Sequence, residues 1–404
     1  FPVHVVERVT TLDGISGNRF VAAYTYHHGF FDGVEREFRG FGMVEQRDTE
    51  EFATFAAATN VDAASHVPPV LTKSWFHTGA WAGGNRVSAH YAANEYYRPP
   101  GLTAAQGAAL LLPDTILPGG LTAEEEREAC RALGGTLLRR EVYAVDGTAA
   151  SANPYTVLEQ NSTVRCVQRR AANRHGVFVV SARESLSYHY ERDPGDARRV
   201  HELTLQVDDF GNVQKSASVG YGRKVSPLAE AWDRDRQTAI HVTFTDAVFT
   251  NAVDSSSDYR TPLPARTRTY HLTGCTPSVG DRFSFEDWTT GNFAMVRTAA
   301  PIPYEALANP AAPQFRPIED VFTRYRSDDL ASTLPIGQVE ALAAVAVTAK
   351  LALTPALIDR VMKRPRPSQP DQALLPAPAP ILESAAADGG GYLSFEGGWW
   401  VPSS

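Results

Sequence analysis

Short runs of strand-forming residues, separated by explicit turn sequences, recur along this chain and constrain its fold more than any other feature. Turn signals such as Asp146-Gly147 and Asn153-Pro154 stand between the runs. Strands joined by short turns pair as antiparallel hairpins, so the pattern predicts a mainly β, antiparallel fold with a few short helices. The candidate strands of this region are residues 137–145, 155–169, 176–183, 186–190, 201–207, 213–222 and 239–245.

The first 100 residues continue this pattern. Residues 1–9 alternate apolar and polar side chains, and residues 18–28 are rich in strand formers. The dipeptide Asp32-Gly33 predicts a turn, after which residues 34–45 form a further candidate strand. Residues 49–58 have the composition of a short surface helix.

One segment predicts a helix more clearly than any other. Thr122 can cap it, Glu125 completes a capping box, and Gly134 follows its last residue, Leu133. Two later segments also have a helical pattern, whereas a stretch rich in proline and alanine predicts an extended connector. The helical segments are residues 317–325 and 354–362, and the connector is residues 364–380.

These changes of composition divide the chain into four predicted parts. The chain starts on Phe rather than Met and ends close to two tryptophans, so we expect a piece of a longer polypeptide. The predicted parts are a β-region at 1–112, a β-region opening with a helix at 113–300, a mixed helical segment at 301–365, and a Pro/Ala-rich linker leading into a further β-segment at 366–404.

Charge and cysteine content exclude several classes of function. A formal net charge of −8 argues against a nucleic-acid-binding protein, which usually carries a strongly basic face. No apolar run reaches the roughly 20 residues that a membrane-spanning helix needs. Three widely spaced cysteines form neither a disulfide framework nor a zinc pattern. We therefore expect no nucleic acid, no membrane insertion by this segment, no metal and no cofactor.

Candidate catalytic residues are few, because no nucleotide-binding, zinc-protease or hydrolase signature occurs. Glu35 and Glu37 would lie about 7 Å apart on one face of a strand, a separation that suits a glycosidase. Arg36 and Arg39 lie beside them, however, and favour a charged strand surface instead. His27 and His28 would point to opposite strand faces, which favours a structural role over metal binding.

Two alternatives to a structural protein stay open from the residues alone. The first is a glycosidase-type hydrolase that uses Glu35, Glu37 or the acidic residues near Asp208. A pocket with two close carboxylates of raised pKa would support it. The second is a carbohydrate- or surface-binding β-module, which would need an exposed aromatic platform. Its candidate residues are Trp75, Trp399 and Trp400.

The sequence of residues 24–45 strongly resembles the B component of bacterial insecticidal toxin complexes, the Tc toxins. Part of that component is shared with SpvB-type virulence proteins. The resembling run reads Tyr24-Thr-Tyr-His-His-Gly-Phe-Phe-Asp-Gly-Val-Glu-Arg-Glu-Phe-Arg-Gly-Phe-Gly-Met-Val-Glu. The resemblance extends over nearly the whole chain, with further matching stretches at residues 121–133, 140–144, 187–194, 205–213, 281–288 and 351–355.

This resemblance implies a structural function rather than an enzyme. In the family, the B component and an Rhs-type C component form a hollow shell of Rhs/YD-type β-strands around a toxic C-terminal enzyme. A propeller of the B component docks on a pore-forming A component, and the self-cleavage that frees the toxin belongs to the C component. The resemblance therefore implies a secreted shell segment with C and A components as partners.

The resemblance also implies structural signature residues in place of a catalytic set. Aromatic side chains among them are expected to pack, and glycines to shape the backbone. A further turn, Asp208-Asp-Phe-Gly-Asn, resembles a calcium loop only superficially, because the alternating oxygen ligands and final glutamate are missing. The signature residues are Tyr24, Tyr26, His27, His28, Gly29, Asp32, Gly33, Glu35, Arg36, Phe38, Gly40, Phe41, Gly42, Asp208, Gly211 and Asn212.

We predict from the sequence that Phe38→Ala destabilises the protein. If Phe38 is fully buried, the loss of its side chain should lower the free energy of unfolding by about 3–5 kcal/mol. Urea denaturation of the variant and of the parent chain measures this difference. An unchanged midpoint would show that Phe38 has no packing role.

Overall fold

Antiparallel strands dominate the structure, a computed structural model that describes residues 3–15, 19–50, 68–81, 83 and 86–403. Strands contain 42% of the residues and helices contain 14%. The predicted fold class, mainly β and antiparallel, is therefore confirmed. The chain divides into two compact units, Phe1–Glu202 with Gly220–Ala239 and Leu203–Val219 with Ile240–Ser404. The boundaries predicted at residues 112, 300 and 365 stay predictions.

Strands of the first unit pair in sequence order, each antiparallel to the next. They are β1 (Arg8–Leu12), β2 (Arg19–Asp32), β3 (Glu37–Glu50), β4 (Val70–Phe76), β5 (Leu137–Ala144), β6 (Thr156–Gln168) and β7 (Val177–His189). The helices are α1 (Ala104–Leu110), α2 (Ala123–Ala132), a 3-10 turn (Ala149–Ala152) and α3 (Ala231–Thr238).

The hairpin of β8 (Arg198–Val207) and β9 (Val213–Tyr221) has residues assigned to each unit. In the second unit, the strand order is β10, β13, β15, β16, β20 and β19. The remaining elements are β10 (His241–Phe249), β11 (Val253–Asp254), β12 (Tyr259–Arg260), β13 (Pro264–Thr273), α4 (Phe285–Thr298), β14 (Ala300–Pro301), β15 (Gln314–Tyr325), β16 (Val345–Leu353), α5 (Pro355–Val361), β17 (Lys363–Arg366), β18 (Gln369–Ala373), α6 (Ala379–Leu382), β19 (Leu393–Phe395) and β20 (Gly398–Pro402).

The register of the first unit places one row of side chains straight across five strands. Met43 lies opposite Trp75, Trp75 opposite Arg139, Arg139 opposite Glu159, and Glu159 opposite Leu186. Because side chains alternate between faces along a strand, these five residues share one face. All five are buried. The sheet therefore has a core face that mixes apolar residues with charged ones.

The long connection between β4 and β5 covers this core face. Leu112 from that connection packs in one cluster with Val157 and Leu186 of the sheet. Helix α2 lies in the same connection, and its Ala129 packs with Val164 of β6. Covering by a segment of the same chain hides the apolar side chains from water, which is the main favourable contribution to folding.

The second unit has its own core. Phe322, Ala349 and Trp400 form a buried cluster across β15, β16 and β20. Across the same sheet, threonines pair between strands, and Thr323 Oγ1 lies 3.0 Å from Thr348 Oγ1. Such cross-strand hydroxyl pairs stabilise a sheet face that is only partly buried.

Both of the best-supported helix predictions are confirmed. Thr122 caps α2, and a full capping box joins it to Glu125. Thr354 caps α5, which has proline in its first turn. These two ends are specified by local hydrogen bonds, so the sequence alone is sufficient to predict them.

Several other predicted elements differ from the structure. Residues 317–325 belong to strand β15 rather than a helix, because pairing with β13 on one side and β16 on the other outweighs local propensity. The two strands predicted at residues 176–183 and 186–190 form one strand, β7 (Val177–His189). The predicted connector at 364–380 contains the hairpin of β17 and β18. Helices α3 and α4 fall in a region predicted as strands alone.

The predicted elements near the N-terminus are corrected in part. Strand β1 starts at Arg8, whereas residues 3–7 form no strand. Residues 34–36 form a turn rather than the start of β3. Of the helix predicted at residues 49–58, Thr49 and Glu50 lie in β3, and the remainder lies outside the described residues.

Leu186 and Phe38 provide a graded test of these cores. Leu186 is fully buried, so we expect Leu186→Ala to lower the free energy of unfolding by about 2–5 kcal/mol. Phe38 is only half-buried, which corrects the larger cost expected for full burial, and Phe38→Ala should cost less than Leu186→Ala. Urea denaturation of both variants measures the difference. A larger loss at Phe38 would contradict the assignment of the core.

Candidate functional site

The signature residues gather where the β2–β3 hairpin turns and meets helix α2. Asp32 accepts hydrogen bonds from the backbone N–H groups of Val34 and Glu35, which shapes the turn. Its other carboxylate oxygen lies 2.7 Å from Arg39 Nη2. Arg36 has a φ of 56°, so it is the residue of this turn that lies in the left-handed region. The turn is therefore fixed by one buried carboxylate.

Glu35 and Glu37 pair with arginines of α2 and do not lie side by side on one strand. Glu35 lies in the turn, and its Oε1 is 3.1 Å from Arg127 Nη2. Glu37 Oε2 is 3.4 Å from Arg131 Nη2. The prediction that the two carboxylates share a strand face is wrong, because the strand begins only at Glu37. These pairs attach the hairpin to the helix.

Aromatic side chains of the hairpin pack on one another. The ring centroids of Tyr26 and Phe41 are 4.8 Å apart, and those of Phe38 and Phe41 are 5.1 Å apart. Tyr24 is half-buried, as are these three residues. A Cβ atom at Gly29 would lie 3.3 Å from the Phe41 ring. A side chain at this position would therefore crowd the aromatic cluster.

Two further glycines of the signature have a clear physical reason. Gly40 has φ +92°, a conformation that residues with side chains rarely adopt. A Cβ atom at Gly42 would lie 2.0 Å from the hydroxyl of Tyr91. At Gly33, by contrast, open space surrounds the Cα and nothing in the structure requires glycine.

His27 and His28 make separate contacts. His27 Nε2 lies 3.6 Å from Glu45, and His28 Nε2 lies 2.9 Å from Glu95. The His28 ring also stacks on Tyr91 with a centroid distance of 4.9 Å. Within the described part of the chain, no group of three or more metal-ligating side chains occurs.

The β8–β9 turn places Asp208, Gly211 and Asn212 as a hairpin connection. Asp208 Oδ1 accepts hydrogen bonds from the backbone N–H groups of Phe210 and Asn212. Gly211 has φ +90°, which explains glycine there. The carboxylate of Asp208 is therefore used within the turn.

A buried charged belt lies at the centre of the first unit. Arg139 donates from Nε to Glu141 at 2.6 Å and from Nη1 to Glu159 at 2.7 Å. Arg139 is 4% exposed, Glu141 1% and Glu159 6%. Although burial opposes its charge, the two carboxylates hold the pKa of Arg139 above its usual range. Buried charges of this kind need such complete pairing.

The belt also binds the segment that covers the sheet. Glu141 accepts a hydrogen bond from the backbone N–H of Tyr97 at 2.8 Å, and Glu159 accepts one from Leu112 N at 2.8 Å. Arg139 donates from Nη2 to the Tyr97 carbonyl oxygen at 3.2 Å. Three side chains of the sheet thus satisfy backbone groups of the covering segment, which fixes its position.

A second buried group lies around His201. The Nε2 atom of His201 is 3.1 Å from Glu184, and its Nδ1 is 3.3 Å from the Tyr221 hydroxyl. Tyr188 stacks on Tyr190, with the ring centroids 5.5 Å apart. Asn161, the first residue of a glycosylation sequon, is buried and donates to the Pro113 carbonyl oxygen at 2.8 Å.

The second unit contains a comparable arginine. Arg266 makes a bidentate pair with Asp320, at 2.8 and 2.7 Å, and another with Glu396, at 2.9 and 2.7 Å. These partners raise the pKa of Arg266 despite its burial. The pairs connect strand β13 to β15 and to the β19–β20 turn.

The aromatic platform proposed for a carbohydrate-binding module is not formed. Trp75, Trp399 and Trp400 are 1%, 7% and 2% exposed, and each indole N–H already has an acceptor within its own unit. Their burial contradicts the prediction that they form a binding surface. They are core residues instead.

Arg139, Glu141, Glu159 and Arg266 are not among the residues predicted from the sequence. A signal existed, because Arg139 and Glu141 occupy alternate positions of the strand and so share a face with Tyr143. Their burial depends on the covering segment, however, and the pairing of distant strands decides which charges meet.

Comparisons with known proteins agree with this geometry. Residues 1–79 match the family model described as the insecticide toxin TcdB middle/N-terminal region. Residues 128–261 match the model of the insecticide toxin TcdB middle/C-terminal region. The chain is TcdB-like. This confirms the resemblance seen in the sequence.

Solved structures show the same fold. The crystal structure of TcdB2-TccC3-TEV superposes with a TM-score of 0.67 and 26% sequence identity, over 88% of this chain and 16% of that one. The crystal structure of TcdB2-TccC3-Cdc42 has a TM-score of 0.69 and 24% sequence identity, over 92% of this chain and 18% of that one. The Photorhabdus luminescens Tc holotoxin pore with a TccC3 mutation has a TM-score of 0.65 and 24% sequence identity, over 92% of this chain and 18% of that one.

This TcdB-like chain thus spans less than a fifth of the solved chains it matches. Among curated proteins, the search finds no match. No helix in the described ranges is long and apolar enough to cross a membrane.

Replacement of Arg139 should show how much the buried charged belt contributes to the free energy of unfolding. Arg139→Leu leaves two buried carboxylates without their cation, so we expect a loss of about 3–5 kcal/mol in the free energy of unfolding. Arg140→Leu is the matched control, because Arg140 is exposed on the opposite face, and it should change stability by about 0.5 kcal/mol or less. Equal losses in urea denaturation would contradict the belt's role.

His77 should make the stability of the first unit depend on pH. Burial lowers the pKa of His77 from 6.5 to about 4. Its Nε2 lies 2.8 Å from the Val87 carbonyl oxygen, and its Nδ1 accepts from Gly79 N at 2.9 Å, so the neutral Nε2–H form fits. The unfolded chain binds the proton first, and the stability that His77 contributes is lost as the pH falls from about 6.5 to about 4.

We expect this loss to reach roughly 3 kcal/mol, at about 1.4 kcal/mol for each pKa unit. His77→Gln removes the titration while other acid-sensitive groups remain. The difference in unfolding free energy between the parent chain and the variant, measured from pH 7 to pH 4, isolates the histidine. A constant difference across this range would contradict the assignment.

Proposed function

We propose that the chain is a structural wall segment of the shell of a tripartite toxin complex. In this role it helps to enclose and deliver a cytotoxic C-terminal enzyme that the C component carries. Its partners are a C component of the Rhs type and a pore-forming A component. The complex is secreted, and this segment performs no catalysis.

One observation carries this proposal. A segment of the chain covers its own antiparallel sheet, and buried hydrogen bonds hold it there. Arg139, Glu141 and Glu159 hold the covering segment at the backbone of Tyr97 and Leu112. A wall must keep its shape when a cargo lies against it, and satisfied buried networks make a structure rigid. The likeness to TcdB2-TccC3 supports the same function.

The hydrolase alternative has no comparable support. Glu35 and Glu37 are both paired with arginines of α2, and Asp208 is used within its turn. Carboxylates that neutralise neighbouring arginines are suited to holding a hairpin on a helix. Hydrolysis by a carboxylate pair instead requires one acid kept protonated.

The signature residues then have a structural role in the wall. We propose that Asp32 and Gly40 shape the end of the β2–β3 hairpin, and that Glu35 and Glu37 hold it on α2. The four-part division at residues 112, 300 and 365 remains part of this proposal.

The parent toxin rebuilt with single substitutions tests the proposal. We expect Glu35→Gln, Glu37→Gln and His27→Ala to affect toxicity only as far as they reduce folding or assembly. Assembly is measured by size-exclusion chromatography with the C and A components, cargo loading by mass spectrometry, and toxicity on cultured cells.

Arg139→Leu is the control that should reduce folding, assembly and toxicity together. The proposal fails if one of the three substitutions abolishes toxicity while folding, assembly and cargo loading stay normal. Such a result would assign that side chain a chemical role.

A further inference from the structure

The segment that covers the first unit's sheet encloses a pocket of about 280 Å³. Alanine is the most frequent residue in its lining, and its methyl group offers neither a donor nor an acceptor. The alanines that line it are Ala89, Ala92, Ala93, Ala104 and Ala108. A cavity of this size is at the lower limit of pockets that bind small molecules, and it suits one or two apolar side chains.

The floor of this alanine pocket is rigid. The Tyr96 ring lies 5.2 Å from the Trp75 ring and 4.7 Å from the guanidinium of Arg139. The Tyr97 hydroxyl donates to Asn153 at 2.8 Å. Contacts with the buried belt thus fix both tyrosines before anything enters the pocket, and such preorganisation lowers the entropic cost of binding.

Two arginines, Arg86 and Arg98, line the same pocket and are exposed. In the described part of the chain, neither has a carboxylate within salt-bridge distance. The Arg98 side chain rests on Gly107, where a Cβ atom would lie 2.5 Å from its Cδ. The pocket thus combines alanines with two arginines that have no salt-bridge partner among the described residues.

We propose that the alanine pocket is a docking site for an acidic–apolar polypeptide segment of a partner. Its apolar side chain fills the pocket, and flanking carboxylates pair with Arg86 and Arg98. Arginine suits this role, since its planar guanidinium binds a carboxylate through two hydrogen bonds. The apolar contact supplies affinity, and the charges select acidic segments over basic ones.

Binding of a defined peptide to the full 404-residue chain tests the proposal without relying on the shell function. The probe is fluorescein-Gly-Glu-Asp-Leu-Leu-Asp-Glu-amide, followed by fluorescence anisotropy at low ionic strength. One comparison peptide has lysine in place of each acidic residue, and another has alanine in place of each leucine. We expect the probe to bind about tenfold or more tightly than either comparison peptide.

Variants of the chain then locate the binding. The double change Arg86→Glu and Arg98→Glu should weaken probe binding about tenfold or more, and Ala92→Trp should do so by filling the pocket. Arg174→Glu is the matched control, because Arg174 is exposed in the β6–β7 turn, and it should leave binding unchanged. Circular dichroism and thermal unfolding confirm that each variant folds.

Three results would overturn the proposal. The first is no binding of the probe, and the second is equal binding by the parent chain and the double variant. The third is binding of sodium laurate, but not the peptide, in a way that the double variant abolishes, since the pocket would then select a lipid carboxylate. If the 404-residue chain binds the peptide normally but the parent toxin does not assemble into a shell, only the proposed function fails.

Discussion

The pairing of Arg139 with Glu141 and Glu159 is the interaction on which the first unit depends. Three charges leave water together, and the cost is offset only because each has close partners. The same carboxylates accept backbone hydrogen bonds from the covering segment at Tyr97 and Leu112. A segment with little regular structure is thereby fixed over the sheet, and it completes the core around Val157 and Leu186.

Arginine-centred fastening recurs wherever this chain must hold separate elements together. Arg127 and Arg131 of α2 hold the β2–β3 hairpin through Glu35 and Glu37. In the second unit, Arg266 joins Asp320 and Glu396 by two bidentate pairs. Replacement of one partner leaves an uncompensated charge, so these contacts contribute specificity of arrangement more than net stability. Elements held by such paired charges resist sliding past one another.

The alanine pocket depends on the same fastening, because its tyrosine floor rests on Arg139 and Asn153. A structural belt can thus prepare a surface for recognition without taking part in it. Such a site would couple binding of a partner to the order of the covering segment, since the two share Tyr96 and Tyr97. Structure and recognition are then properties of one buried network.

Sequence alone determined the features that depend on near neighbours. Alternation and turn residues predicted the antiparallel strands. A capping box predicted α2, and a threonine cap followed by proline predicted α5. A run of over twenty residues carried the family resemblance. The tertiary structure decided the rest. Strand pairing on both sides turned residues 317–325 into β15, and burial turned Trp399 and Trp400 into core residues. The reason is physical, because burial and charge pairing join residues far apart in sequence, and local pattern does not encode which distant segments meet.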